Sequence, residues 1–439
     1  MKKQASSNLI VGVDEKIGVG RAFLLGLQHV LAMDLYIVPI IIAGILAMDT
    51  GNTAFLIQMS FLAAGIATLI QTGKGIKLPV MQGPSYIPIG ALTAIGSKLG
   101  LGAMIGSLIP GAIIIALFGY PLKWFAKLVQ RFIPAIVGGT VIAVVGISLM
   151  PVAMTGIFTV QGNVQHGIIV SAVSAVLLIV CMMLAVKLKK AGAIIRLTSV
   201  IIAIAGGTIV ASFFGMVSFQ PVADAKWFSL PTFMPFGKPV FDISAILTML
   251  VIYLILLIET TGTWFVVSTV TDKELTPEHL NRGAVGEGLG CAVGALFGGT
   301  PMTGYSTNAG IIAVTGVASR MAIMAGGVIL VVLGLMPKLM NVIACIPGAV
   351  INGVFAVVCV VIAMNGFKVI QNVNMNERNM FVIGLPILLT IGAAVMPKEL
   401  LYSLPSFLNY IFSSGMAVGA ISAVLLNIVL PKEKEKTAL

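Results

Sequence analysis

Glu259 is the residue whose surroundings most demand a chemical explanation. It follows the apolar run Leu254 to Ile258, precedes Thr260-Thr261-Gly262-Thr263-Trp264, and has no Lys or Arg with it between residues 243 and 270. An acid so placed takes up a proton because desolvation penalises its charge, or is satisfied by donors from a ligand. Its structural alternative is a protonated acid bonded to backbone. Thr263 lies one turn on, on the same helix face. A second acid, Glu287, stands between Gly286 and Gly288 and reads either as a proton carrier or as a hydrogen-bonded brace. In the first apolar run, Gln28 and His29 sit about two turns in from Arg21, and Asp34 lies about 140° round a continuous helix from His29. His29 and Asp34 are each either bonded to a neighbouring helix or part of a site, because ionisable groups at this depth are costly.

Two stretches cannot be ordinary helix. Gly298-Gly299-Thr300-Pro301-Met302-Thr303-Gly304-Tyr305-Ser306-Thr307-Asn308-Ala309-Gly310 is Gly-rich and polar, and Gln82-Gly83-Pro84-Ser85-Tyr86-Ile87-Pro88-Ile89-Gly90 lies between Pro79 and a further apolar run. Each Pro removes a donor. In lipid, backbone outside a helix survives only where it is buried in protein or lines a cavity. Gly/Pro-broken segments at matching places in two halves point to the midplane site of a secondary transporter. An extended segment turning into a half-helix near Tyr86 aims free N–H groups at an anionic or carbonyl-rich ligand. The Tyr86 ring either stacks on a planar ligand or packs between helices.

The elements that must hold these residues follow from composition. Hydrophobic residues make up 58% of 439 and charged residues 9%, against a charged share near 25% in soluble domains; mean hydropathy is +1.09. The chain is an all-α polytopic membrane protein by this reading. Apolar runs long enough to cross roughly 30 Å of hydrocarbon cover about 21–46, 52–71, 101–122, 132–154, 166–186, 195–217, 243–270, 317–336, 347–367, 379–396 and 406–430, and shorter segments cover about 79–96, 283–299 and 303–316. These are fourteen spans, the third and tenth of them broken. With the N-terminus inside, only Lys98, Lys226, Lys238, Lys338 and Lys398 of the 26 Lys and Arg fall outside, the asymmetry that sets orientation. Both termini are therefore expected in the cytoplasm and the protein in the cell inner membrane. Topology signals and lipid headgroups account for the net charge of +11, and no nucleic-acid partner is expected. Cys181, Cys291, Cys345 and Cys359 have no CxxC spacing, so neither a disulfide framework nor a metal site is expected. The first twenty residues carry no separate apolar core with a cleavage site, so no removed signal peptide is expected.

A duplication shows between residues 134–147 and 347–360, which match without gaps at six of fourteen positions and share an initial Pro. Seven spans per half is odd, so halves of one fold must lie in opposite orientations. The expected repeats are 1–217 and 218–439, with the boundary in the loop at about 218–241.

Thr307-Asn308-Ala309-Gly310-Ile311-Ile312-Ala313-Val314-Thr315-Gly316, followed by Val317-Ala318-Ser319-Arg320, resembles the signature of the nucleobase/ascorbate transporter family, also called nucleobase cation symporter type 2. Gln28-His29, Gln82-Gly83 before Ser85-Tyr86, and Glu259 fall where that family has its other motifs, and the similarity spans essentially the whole chain. The resemblance implies a seven-plus-seven inverted repeat, with a core domain from spans 1–4 and 8–11 and a gate domain from spans 5–7 and 12–14. It implies proton-coupled uptake of a purine or pyrimidine base, often by a homodimer, with no cofactor beyond the proton as coupling ion. Glu259 would then accept N–H groups of the base, Thr307 would contact it, Asn308 would brace the site, and backbone near Ser85, Tyr86 and Ser306 would bond the ring edge. His29, Thr263, Glu287, Gln28 and Gln82 would match positions tied to coupling or site organisation. Two residues depart from the pattern: Thr307 replaces the usual Gln or Glu, and Thr263 replaces the Asp or His of many members. The ending at Thr315-Gly316 through Arg320 resembles the purine carriers and favours xanthine or urate over uracil. An anion carrier of the same architecture is the alternative, since a lone acid suits it poorly but the fold would be shared. A membrane-embedded enzyme would need a nucleophile, metal cluster or acidic pair that the longest cytoplasmic loop, 271–279, does not offer.

Overall fold

Where the sequence runs apolar without Pro or charge it folds as helix, the one open structure that pairs every backbone group within its own segment in lipid. The computed structural model describes residues 9–159, 162–188, 192–371 and 373–431. Of the basic residues that set the charge asymmetry, Lys2, Lys3, Lys189, Lys190, Lys432, Lys434 and Lys436 lie outside the described residues. Among the described residues, 7 helices are long and apolar enough to cross a membrane, or up to 9 if each bent pair is one span. The longest is Ile243–Thr271. Thr50–Gly73, Leu101–Gly119, Ala135–Phe158, Val164–Lys187, Gly348–Ile370 and Glu377–Ala394 complete the straight set.

The described chain is not wholly α. Gln82–Pro84 forms a strand, β1, and Met302–Gly304 forms another, β2; they pair antiparallel, Gln82 opposite Gly304 and Pro84 opposite Met302. Short helices follow each strand, Ile89–Leu99 after β1 and Thr307–Thr315 after β2. Thus the half-helix expected near Tyr86 starts at Ile89, and the polar stretch 298–310 already turns helical at Thr307.

Three expected segments differ in form. The run 21–46 is two helices, Val19–Leu31 and Ile37–Ile45. Pro39 in the first turn of the second has no N–H to give Leu35, so one continuous helix would lose a bond there, and the 140° between His29 and Asp34 has no meaning across the break. The segment 283–299 belongs to a single helix, Pro277–Leu296, whose start is fixed by a capping box between Thr276 and His279. The run 406–430 is bent by 90° between Ser406–Phe412 and Gly415–Val429.

Helices from the two halves cross at small residues. Gly348–Ile370 packs on Ala135–Phe158, where a Cβ on Gly366 would overlap the Ala143 nitrogen and the Gly139 carbonyl region. Val19–Leu31 crosses Arg320–Gly334 so closely that a Cβ on Gly26 would come 2.5 Å from the Gly326 nitrogen. On one face of the molecule residues 10–13 run beside 316–320: Ile10 N donates to Gly316 O at 2.7 Å, Ala318 N to Val11 O at 3.0 Å and Arg320 N to Val13 O at 2.9 Å. Asp14 closes this strap, accepting from Lys273 at 2.8 Å and Arg320 at 2.7 Å. Arg320 also donates to the carbonyls of Thr72 and Gly73, both at 2.9 Å. The hydrogen bonds from Lys273 and then Arg320 hold the Asp14 carboxyl below its ordinary range.

Candidate functional site

Two three-residue strands inside a helical bundle leave open edges, and each open group must find a partner. The pair extends by one bond at each end, Ser85 N to Pro301 O at 2.8 Å and Tyr305 N to Met81 O at 3.0 Å. Hydroxyls from the helices cover much of the rest. Thr68 accepts from Gln82 N at 2.9 Å and Thr72 donates to Val80 O at 2.9 Å. On the β2 side, Thr260 accepts from Gly304 N at 3.2 Å and Thr263 donates to Gly304 O at 3.0 Å. Tyr305 reaches across to donate to Pro84 O at 2.9 Å. Gly83 cannot carry a side chain, since a Cβ there would overlap Leu35 and meet the Tyr305 ring 2.6 Å away.

This frame places the acids. Ser85, at the end of β1, donates its hydroxyl to Glu259 at 3.0 Å and accepts from Ile87 N at 3.2 Å. Thr303 stands beside the same carboxyl, and among the described residues its Oγ1 makes no other hydrogen bond. Glu259 is partly accessible, as is Ser306, and Thr307 is exposed. Thr307, Gly310 and Ala313 form an exposed stripe down one face of the short helix. Exposure thus falls on Glu259, Ser306 and Thr307, while Ser85 and Asn308 are buried. Glu287 is buried as well, 1% exposed; its Oε2 accepts from Gln71 at 2.9 Å, and among the described residues its Oε1 makes no comparable bond. Thr260 and Gln82 lie next to that carboxyl, and Glu259 is within its electrostatic reach.

The remaining residues expected at the site divide. His29 Nδ1 and Asn308 Oδ1 are 3.0 Å apart in the interior, so His29 supports the Thr307–Thr315 helix through Asn308, whose Nδ2 makes no hydrogen bond among the described residues. Thr263 acts on backbone, as above. Gln82 is buried beside Glu287, and among the described residues its amide atoms make no other hydrogen bond. Gln28 is partly exposed and, among the described residues, makes no side-chain hydrogen bond; nothing brings it to the acids. Tyr86 lies beside them, its hydroxyl on Asp34 and its ring on Phe355.

Sequence reasoning passed over Gln71, which donates to Glu287 and to Gly283 O and accepts from Ile76 N. The signal was present: Thr68, Gln71 and Thr72 share the i, i+3, i+4 face of an otherwise apolar helix. A crevice of about 1430 Å³ opens elsewhere, lined by Ile40, Ile89, Gly90, Lys98, Ser148 and Asn352 among others, and its lining includes neither Glu259 nor Thr307.

Short strands paired among apolar helices long enough to cross a membrane define a polytopic helical bundle. The chain superimposes on the transmembrane domain of a cyanobacterium bicarbonate transporter, BicA, with a TM-score of 0.62 at 17% identity, covering 88% of this chain and 100% of that one; this likeness shows the fold alone. The chain belongs to the Permease family, whose model Xan_ur_permease matches residues 20–399, and it is an integral membrane protein. It is similar to uric acid permease PucJ of Bacillus subtilis, 34% identical over 432 residues that make up 95% of this chain and 95% of that protein. Xanthine permease of the same organism is 32% identical over 419 residues, 94% of each chain.

Proposed function

We propose that this permease is a proton-coupled symporter that imports a nucleobase, with xanthine or uric acid preferred to uracil. Glu259 carries the reading. It is an accessible carboxylate deep in the bundle, and among the described residues the ion pairs are Asp14 with Lys273 and Arg320, and Glu278 with Arg282. A planar base offers N–H groups to such an acceptor, carbonyls to the amides after β1 and β2, and a face to Tyr86. An anion carrier would place a cation or a neutral site there. Names of the relatives support the substrate class, and the Thr315-to-Arg320 ending supports purines.

The reading includes fourteen segments in two inverted repeats, 1–217 and 218–439, both termini in the cytoplasm, the inner membrane and a homodimer in lipid. Packing supports the inverted plan. Thr50–Gly73 packs on Arg320–Gly334, as Leu101–Gly119 packs on Pro277–Leu296, the exchange of partners that a two-fold axis between halves produces. Helices of the core set pack chiefly among themselves, as do those of the gate set.

The test is uptake of radiolabelled xanthine, uric acid, uracil, guanine and adenine by cells making the protein, with and without a protonophore. Protonophore-sensitive uptake of xanthine or uric acid is expected. Glu259→Gln should lower it about 10- to 100-fold, the worth of one hydrogen bond to a charged group. Uptake indifferent to both the protonophore and Glu259→Gln would sink the reading and turn the search to anions.

A further inference from the structure

Asp34 is an acid the proposed cycle leaves unused. It lies in the break between Val19–Leu31 and Ile37–Ile45, deep among helices yet partly accessible, and its Oδ2 accepts the Tyr86 hydroxyl at 2.6 Å. The Tyr86 ring is parallel to Phe355, with centroids 5.8 Å apart and planes 11° apart. Phe355 belongs to Gly348–Ile370, a helix of the opposite half. At its other end Tyr86 follows Ser85, the partner of Glu259. The ring is therefore fixed twice, through backbone beside the Glu259 carboxyl and through its hydroxyl on Asp34. A phenol free at its tip rocks about a soft side-chain torsion, whereas a short hydrogen bond at the tip sets the plane. Two rings 5.8 Å apart pair with each other but leave no room for a third between them, which would need about 7 Å at ordinary carbon contact distances. At that separation near-parallel rings touch only when slid sideways, so Phe355 meets Tyr86 as an offset partner and does not cap its whole face.

We propose that Asp34 is a positioning residue for substrate stacking: it holds the Tyr86 ring in the plane on which Phe355 now rests and on which a planar base stacks while its edge meets Glu259. This rests on the nucleobase reading, in which the base already stacks on Tyr86, and adds to it the group that orients that ring.

Initial rates of xanthine and uric acid uptake test it in wild type, Asp34→Ala, Asp34→Asn, Tyr86→Phe and the Asp34→Ala with Tyr86→Phe double variant. Asp34→Ala and Tyr86→Phe should each raise KM about five- to tenfold, the worth of one hydrogen bond, with the maximal rate per transporter nearly unchanged. The double variant should be no worse than either single one, and Asp34→Asn, which keeps an acceptor oxygen, should recover most of the wild-type KM. A purely structural acid would lower the amount of folded protein and leave KM alone. Unmoved KM in Asp34→Ala, or multiplying effects in the double variant, overturns the proposal. Where Asp34→Ala fails to reach the membrane, Tyr86→Phe alone decides, since it removes only the donor.

A wild-type chain that takes up neither base defeats the nucleobase reading, and the tether is then read without substrate. Cys359 is buried one turn past Phe355 and lies near both Tyr86 and Asp34. Its labelling by N-ethylmaleimide, followed by peptide mass spectrometry, should quicken in Tyr86→Phe. An unchanged labelling rate overturns the tether.

Discussion

Gln71 joins three elements through one amide. Its Nε2 donates to Glu287 and to the Gly283 carbonyl, and its Oε1 accepts from Ile76 N, so it ties the turn after Thr50–Gly73 to the middle of Pro277–Leu296. Gln71→Leu keeps the bulk and removes all three bonds, leaving Ile76 N and Glu287 Oε2 without the partner they have here. A loss of about 2–4 kcal/mol is expected, from about 1–3 for each orphaned buried group, read as a lower thermal midpoint in detergent; an unchanged midpoint would show the brace to be dispensable. Glu259 was legible in the sequence because a charge in an apolar run is conspicuous. Gln71 was not, because an uncharged amide costs little to insert and its value depends on a partner 216 positions away. For the same reason Glu287 stayed open between proton carrier and brace: the sequence holds the acid but not the amide that meets it.

At the level of elements, the sequence marked 79–90 and 298–310 as poor helix but not how those stretches are completed. Pro79, Pro84 and Pro88 forbid a helix through 79–88. Nothing local says that Gln82–Pro84 will pair with Met302–Gly304, because pairing is a property of two segments. The break after Leu31 had a cue in Pro39, masked by the apolar residues on both sides. Close crossings were likewise hidden, since Gly in a membrane helix marks a contact without naming the neighbour. Gly366 shows the cost of filling one. In Gly366→Val the new Cβ meets the backbone of Ala143, which cannot swing aside as a side chain could. Overpacking of about 1–3 kcal/mol or more should cut the yield of monodisperse protein in size-exclusion chromatography. Gly384→Val, where a Cβ has nothing within 4 Å, should not; equal yields from both would show that the crossing tolerates a side chain.

Across the whole molecule, the strap at 10–14 binds the start of the chain to the end of the second-half site helix through Gly316, Arg320 and Lys273. The bonds from Lys273 and Arg320 lower the folded value of the Asp14 carboxyl below its unfolded one. Its contribution is therefore full above the ordinary Asp value of about 4 and is lost as pH falls through the depressed value. Asp14 is 56% exposed, so solvent screening keeps the contribution small. Amide exchange at Val11, Ala318 and Arg320, the donors of the strap, should hold steady from pH 7 to pH 5, after correction for intrinsic rates, and Asp14→Asn should quicken it throughout that range. A variant that exchanges like wild type would show the backbone ladder to be sufficient by itself.

The strand pair also has a history written into its numbering. Pro84 and Met302 face each other, so a ribosome adding about 5–20 residues per second delivers the first strand roughly 10–40 seconds before the second. Thr68 and Thr72 belong to the earlier part of the chain and cover one flank of β1 from its birth. The flank that β2 will take has no such cover, so throughout that interval the nascent permease carries an unfinished edge in a solvent that cannot finish it.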